Sequence, residues 1–232
     1  KLKVRYFDQY GTEISRPDYS VSTDVTAESV ISNYIKSIGG AEKLNSISSI
    51  EVKATANLQG TVLEMYSLKN NQNQSLMTMT AMGMTLVKSV FNKYQGYNEV
   101  NGQRIPLKDE ELEQAIINSA LFSELNFDLE TIELIGTSFV NDEKAYEIKI
   151  TDNKSVFYSA ETGLKLKEFE SQEVDGNLIT GEVFYREYEE VDGILIPSEI
   201  NQVSASIPVP GGLTFKTSLI KLNVKTSDSD FN

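Results

Sequence analysis

From Ser48 onward, apolar and polar residues alternate with period two in one short run after another, and this constrains the chain more than any other feature. Ile50, Val52, Ala54 and Ala56 alternate with Glu51, Lys53 and Thr55, and Gly60 marks a turn. Alternation of this kind belongs to half-buried strands. Further runs occupy 62–69, 75–81, 84–93, 96–100 and 103–105, broken by the polar stretch Asn70-Asn71-Gln72-Asn73 and by Met82-Gly83. The second half repeats the pattern at 132–140, 144–151, 155–160, 164–174, 178–191, 194–203 and 213–225. Turn residues such as Asn141-Asp142, Thr162-Gly163 and Asp192-Gly193 separate these runs, as short antiparallel connections require. The predicted fold class is mainly β with few helices (α+β). It is a large curved antiparallel sheet, or unclosed β-barrel, of about 11 strands covered by a helical lid.

Three segments read as helices. Thr26 is a good N-cap with Glu28 in the first turn, and Val30, Ile31, Tyr34, Ile35 and Ile38 form one apolar stripe ending at Gly39-Gly40. A short helix follows at 41–45. A longer one is predicted over 107–125, with Asp109, Glu110, Glu111 and Glu113 at its start and Leu112, Ile116, Ile117 and Leu121 on its apolar side. Residues 1–25 stand apart. Leu2, Val4 and Tyr6 suggest a short strand ending at Tyr10-Gly11-Thr12, either the tail of an upstream domain or an edge strand of the main domain, and the polar stretch after it reads as a linker. The domain expectation is therefore an N-terminal strand and linker over 1–25, which fits the tail of an upstream domain, a half-barrel over 26–226 and a disordered tail over 227–232. The chain opens on Lys1-Leu2-Lys3 without an initiator Met, so a processed or truncated product is expected.

Composition removes several classes of chemistry. The chain has no His and no Cys, which excludes thiol nucleophiles, disulfides, imidazole acid–base catalysis and nearly every ordinary zinc, copper or iron site. No cofactor is expected. A net charge of −13 argues against a nucleic-acid partner. No stretch approaches the ~18 apolar residues of a membrane-spanning helix. There is no nucleophile elbow, Walker loop or dinucleotide fingerprint, and Gly39-Gly40 closes a helix rather than opening one. The carboxylates at 187–192 alternate between strand faces and do not converge. Tyr185 and Tyr188 read as ordinary strand residues, and an enzymatic function has no positive support.

The candidate site is a group of methionines. All five lie between positions 65 and 84: Met65, Met77, Met79, Met82 and Met84, with Leu86 beside them. Methionine is unbranched and polarizable, so such a wall re-packs around apolar ligands of varied shape. Two readings stay open. These side chains line a greasy cavity under a lid formed by Leu112, Ile116, Ile117 and Leu121, or they fill a core beneath that helix. An acyl chain gains about 0.8 kcal/mol per buried methylene, so a lidded hollow would bind one without a charged partner.

Three segments carry a family resemblance. Residues 26–44, from Thr26 through Gly39-Gly40 to Leu44, resemble the opening helix of the LolA/LolB-like outer-membrane lipoprotein carriers (lipoprotein-sorting proteins), especially Bacteroidetes-type members. Ser159-Ala160-Glu161-Thr162-Gly163-Leu164-Lys165 resembles a hairpin of that family. Residues 188–200, with Asp192-Gly193-Ile194-Leu195-Ile196-Pro197, resemble its late strand–turn–strand and its Gly-x-x-x-Pro pattern. The resemblance implies a non-enzymatic envelope protein, periplasmic or outer-membrane-associated. Such a protein holds acyl chains of lipid or lipoprotein between sheet and lid, with an envelope protein partner and peripheral or no direct membrane contact. The 1–25 extension departs from the family pattern, and neither Arg104 nor Arg186 matches a lid-gating arginine. The alternative is an accessory or interaction domain of a larger secreted protein, such as an insulinase-type peptidase, with a filled cavity.

Overall fold

Antiparallel hairpins follow one another through nearly the whole chain. The computed structural model describes residues 6, 7, 11–14, 19–174, 176–205, 207 and 209–232. A small hairpin of β1 (Tyr6–Phe7) and β2 (Glu13–Ile14) stands apart from the main sheet. Next come α1 (Ala27–Ser37) and α2 (Ala41–Asn45), then β3 (Ser49–Leu58), β4 (Thr61–Asn70), β5 (Gln74–Ala81), β6 (Met84–Asn92), β7 (Gly96–Val100) and β8 (Gln103–Pro106). After α3 (Asp109–Ser119) and a 3-10 turn at Ser123–Asn126 the sheet resumes. It continues with β9 (Glu133–Val140), β10 (Glu143–Thr151), β11 (Lys154–Ser159), β12 (Lys165–Val174), β13 (Asn177–Val191), β14 (Ile194–Ser204) and β15 (Leu213–Leu222).

These form one 13-stranded sheet in the order β8-β7-β6-β5-β4-β3-β15-β14-β13-β12-β11-β10-β9, one strand for each alternating run and slightly more than the total of about 11 expected. Two meanders, β3 to β8 and β9 to β15, are joined where β15 pairs with β3. The edge strands β8 and β9 do not pair, so the barrel stays open. The chain between those two edges is the segment bearing α3, and it has to cross the opening. Register shifts between β5 and β6, β9 and β10, β11 and β12, and β13 and β14 supply the local bends that curl the sheet.

One end of the inner face is covered by α1 and α2. The Thr26 hydroxyl accepts from the Ser29 N–H at 3.1 Å and the Ser29 hydroxyl accepts from the Thr26 N–H at 2.9 Å, a reciprocal cap that sets where α1 begins. Val30, Ile31, Tyr34 and Ile38 then pack with Leu44, Ile47, Ile148, Val156, Tyr158, Ile194 and Ile196. The helix ends hard against the β13–β14 turn, where the Leu195 N–H donates to the Ile38 carbonyl at 3.0 Å. A Cβ on Gly39 would lie 3.0 Å from the Gly193 carbonyl, and its φ of +134° suits glycine.

Two expectations change. The helix predicted over 107–125 stops at Ser119, whose hydroxyl donates to the Ile116 carbonyl at 2.7 Å, and Ala120 turns extended before the 3-10 turn. Residues 227–232, expected as a disordered tail, instead contain a 3-10 turn at Asp228–Phe231. Phe231 is fully buried on the outer face against Leu68 and Val90. The strand expected at Leu2 and Val4, and Arg16 to Asp18 of the linker, lie outside the described residues. Within the rest of 1–25, Tyr19 packs edge-on against Phe139 at 5.6 Å, and Lys144 donates to the Ser20 carbonyl at 2.9 Å.

Candidate functional site

Residues directly opposite each other on paired strands share a face, so the registers define what the hollow presents. Ile50 faces Lys69, Val52 faces Ser67, Ala54 faces Met65 and Ala56 faces Leu63. On the next strand Ser75 faces Lys69, Met77 faces Ser67, Met79 faces Met65 and Ala81 faces Leu63. The inner wall therefore runs from a lysine at one end, past methionines, to small and apolar residues at the other.

The expected site residues separate along this wall. Met65 and Met79 are paired neighbours, and with Leu86 they pack against a cluster of Ala54, Ala56, Leu63, Ala81, Leu213 and Phe215. Met77 lies on the same face, one pair closer to Lys69. Met82 and Met84 stand at the β5–β6 hairpin tip, 80% and 63% exposed. Of the four lid residues, Ile117 and Leu121 line a cavity of about 350 Å³ between the sheet and the 117–124 segment. Ile116 faces a neighbouring cleft of about 650 Å³, together with Leu44, Ile47 and Phe127. Leu112 is partly buried, one to two turns before them. A second cleft, about 660 Å³ and lined by Ser75, Ser89, Asn98, Gln114 and Glu170 among others, opens on the opposite side of α3.

The cavity wall is charged rather than greasy. Lys69, Lys154, Lys165, Glu124 and Glu168 all line it, together with Tyr34 and Tyr185. Lys165 Nζ sits 2.5 Å from Glu124 Oε1 and 2.9 Å from Glu168 Oε1, and Lys154 Nζ lies 3.3 Å from Glu168 Oε2. Tyr158 donates to Glu124 at 3.2 Å, Tyr185 donates to Glu168 at 2.9 Å, and Tyr188 donates to the Lys165 carbonyl at 2.8 Å. Charges this deep persist only when paired and hydrogen-bonded. Burial alone would push Lys165 down, yet Glu124 and the surrounding groups hold it well above its ordinary value. Burial likewise opposes the Glu168 carboxylate, but Lys165 and Lys154 prevail and hold it at about 2. Burial first, and Glu124 after it, raises the Tyr34 and Tyr158 hydroxyls well above the usual range. Lys69 behaves differently: burial lowers it to about 8, with repulsion from Lys165 adding to the effect. Among the described residues no group of three or more carboxylates is placed to hold a metal ion.

No protein-family model matches the sequence, and no curated protein matches it. Solved structures do resemble it. A LolA superfamily protein from Nitrosomonas europaea superposes with a TM-score of 0.56 at 17% identity, covering 90% of this chain and 98% of that one. This chain shares the fold of that protein. A DUF1329 family protein from Desulfovibrio piger is similar as well, with a TM-score of 0.54 at 13% identity over 88% of this chain and 96% of that one. An outer membrane lipoprotein-sorting protein domain from Vibrio parahaemolyticus gives 0.50 at 11% identity, over 89% and 97%. The sequence resemblance to LolA-like carriers and the observed fold thus agree.

Sequence reading of this LolA-like half-barrel missed its charged cluster. Lys165 is hidden by a bulge: Lys167 pairs with Phe157 while Lys165 pairs with Tyr158, so two lysines of equal parity point to opposite faces. Lys167 lies over the outer ring of Phe157 at 5.1 Å, and Lys165 enters the cavity. Lys69 carried a usable signal, since it shares parity with Met65 on an unbroken ladder.

Proposed function

We propose that this chain is a non-enzymatic cell-envelope protein that holds the acyl chain of a lipid or lipoprotein between its curved sheet and the helix-bearing 109–126 segment. The observation that carries this reading is the placement of Met65, Met77 and Met79 in register on the inner wall of an open half-barrel, on the strand face whose Lys69 and Ile50 line the cavity under that segment, although none of the three methionines lines the cavity itself. The cavity volume falls within the range of about 300–1,000 Å³ usual for small-molecule sites. The periplasmic or outer-membrane setting follows the fold likeness, since one protein of this fold is described as an outer membrane lipoprotein-sorting domain. On this reading Met82 and Met84 form the rim, and Ile117 and Leu121 form the moving cover. Among the described residues no helix is long and apolar enough to cross a membrane, and contact with one is proposed as peripheral.

A second reading has its own support. Ala54, Ala56, Leu63, Ala81, Leu213 and Phe215 are all buried, so the far end of the hollow is packed by the protein's own side chains. Extended along the whole wall, such packing would make this an interaction domain without a ligand. Native mass spectrometry of protein purified without detergent separates the two. A co-purifying lipid, or uptake of a fluorescent fatty acid that is lost in the folded double variant Met77→Glu/Met79→Glu, supports the carrier. A bare mass with no uptake, or uptake unchanged in the folded variant, rejects it.

A further inference from the structure

The five charges on the cavity wall do not balance. Glu124 is taken up by Lys165 and Tyr158, and Glu168 by Lys165, Lys154 and Tyr185. Lys69 reaches neither carboxylate. Its hydrogen bond goes to the Asn118 carbonyl at 2.6 Å, a neutral acceptor on the segment that crosses the opening. An ammonium carries three donors, so two remain for a guest. Three lysines against two glutamates leave one positive charge without a carboxylate partner in a partly buried wall, an arrangement stabilised by an incoming anion. The methionines follow this charge on the same inner strand face, beyond the cavity that Lys69 lines. Met65 lies four residues along the same strand face, about 13 Å away, with Met79 opposite it and Met77 between.

We infer that the hollow selects an anionic amphiphile, with a single carboxylate or phosphate headgroup at Lys69 and its chain laid along Met77, Met65 and Met79. This rests on the acyl-chain reading above and adds to it the sign of the headgroup and the residue that recognises it. The charged groups facing Lys69 are Glu124 on the 3-10 turn, Lys154 on β11, and Lys165 and Glu168 on β12; the hydroxyls of Tyr34 on α1 and of Tyr185 and Tyr188 on β13 belong to the same cluster. Recognition requires the protonated ammonium, which burial lowers to about 8, so headgroup preference fades as pH rises through that value.

The test uses laurate and 1-dodecanol, one chain with an anionic and a neutral head, each displacing the neutral dye Nile red from the full chain. At pH 7 laurate should displace at about tenfold lower concentration than dodecanol, the value of one charge-assisted hydrogen bond. That ratio should shrink at pH 9. It should fall to about one in Lys69→Met, with dodecanol binding retained as the proof that the variant is folded. Acetate should displace nothing. Equal displacement by the two ligands in the unaltered protein, a ratio unmoved by pH, or a preference that survives in Lys69→Met overturns the inference and leaves the acyl-chain reading standing. Displacement by acetate overturns it too, since a free-anion site needs no chain. If the dye and both ligands fail to bind, the acyl-chain reading itself falls. Should Lys69→Met lose dodecanol as well, Lys69→Gln repeats the comparison, and the pH arm on the unaltered protein decides the matter without any variant.

Discussion

Replacing Lys69 by methionine should raise stability at neutral pH, because the native fold disfavours the charge that this side chain carries. Burial, with Lys165 adding repulsion and Glu168 and Glu124 opposing it, lowers the ammonium from 10.5 to about 8. A displacement of that size corresponds to about 3 kcal/mol against the charged form in the folded state. Lys69 is only partly buried, so cavity water absorbs a share of this cost, and the bond to the Asn118 carbonyl returns about 1 kcal/mol. The expected net gain in Lys69→Met is about 1–2 kcal/mol at pH 7, or roughly 2–6 °C in Tm for a chain of this size. The pH dependence fixes the cause. Between about pH 8 and 10.5 the unfolded chain binds the extra proton and the folded one does not, so the unaltered protein gains stability across that window. The variant lacks this increment, and the difference between the two proteins should close by pH 10.5. Urea unfolding of both at pH 7 and pH 10.5 measures it. A variant less stable at pH 7, or a difference that does not move with pH, would refute the claim that an uncompensated charge sits in the wall.

Two further perturbations probe the surrounding structure. Glu168 is held at about 2 against an ordinary 4.5 because Lys165 and Lys154 outweigh the cost of burial, so its contribution is full above pH 4.5 and lost as pH falls towards 2. Glu168→Gln should cost about 3 kcal/mol at pH 7 and flatten stability measured between pH 5 and pH 2.5; an acid limb that keeps its slope would count against the pairing. Phe231→Ala should cost about 3–4 kcal/mol and speed amide exchange in β4 and β6, since the ring is fully buried against Leu68 and Val90. A loss below about 1 kcal/mol would mean that the C-terminal turn is an ornament.

Local rules set much of this molecule before any tertiary contact forms. Period-two alternation and turn residues place strand after strand from Ser49 to Leu222, because a half-buried strand has to sort its side chains between two faces. Thr26 and the stripe from Val30 to Ile38 define α1 in the same way, through a cap and a 3.6-residue period. What the tertiary structure decided is whatever depends on neighbours distant in sequence. The pairing of β3 with β15 leaves β8 and β9 as free edges and so stretches the α3 segment across the opening. The β11–β12 bulge turns Lys165 inward, while Tyr185 and Tyr188, unremarkable along their strand, supply hydrogen bonds to Glu168 and to the Lys165 carbonyl. Phe231 gains a partner only once the outer face of β4 to β6 exists to receive it. Faces and turns follow from short-range sterics and hydrophobic sorting, whereas the balance of charge at the cavity wall is a sum over five residues between positions 69 and 168, and no short window of sequence contains that sum.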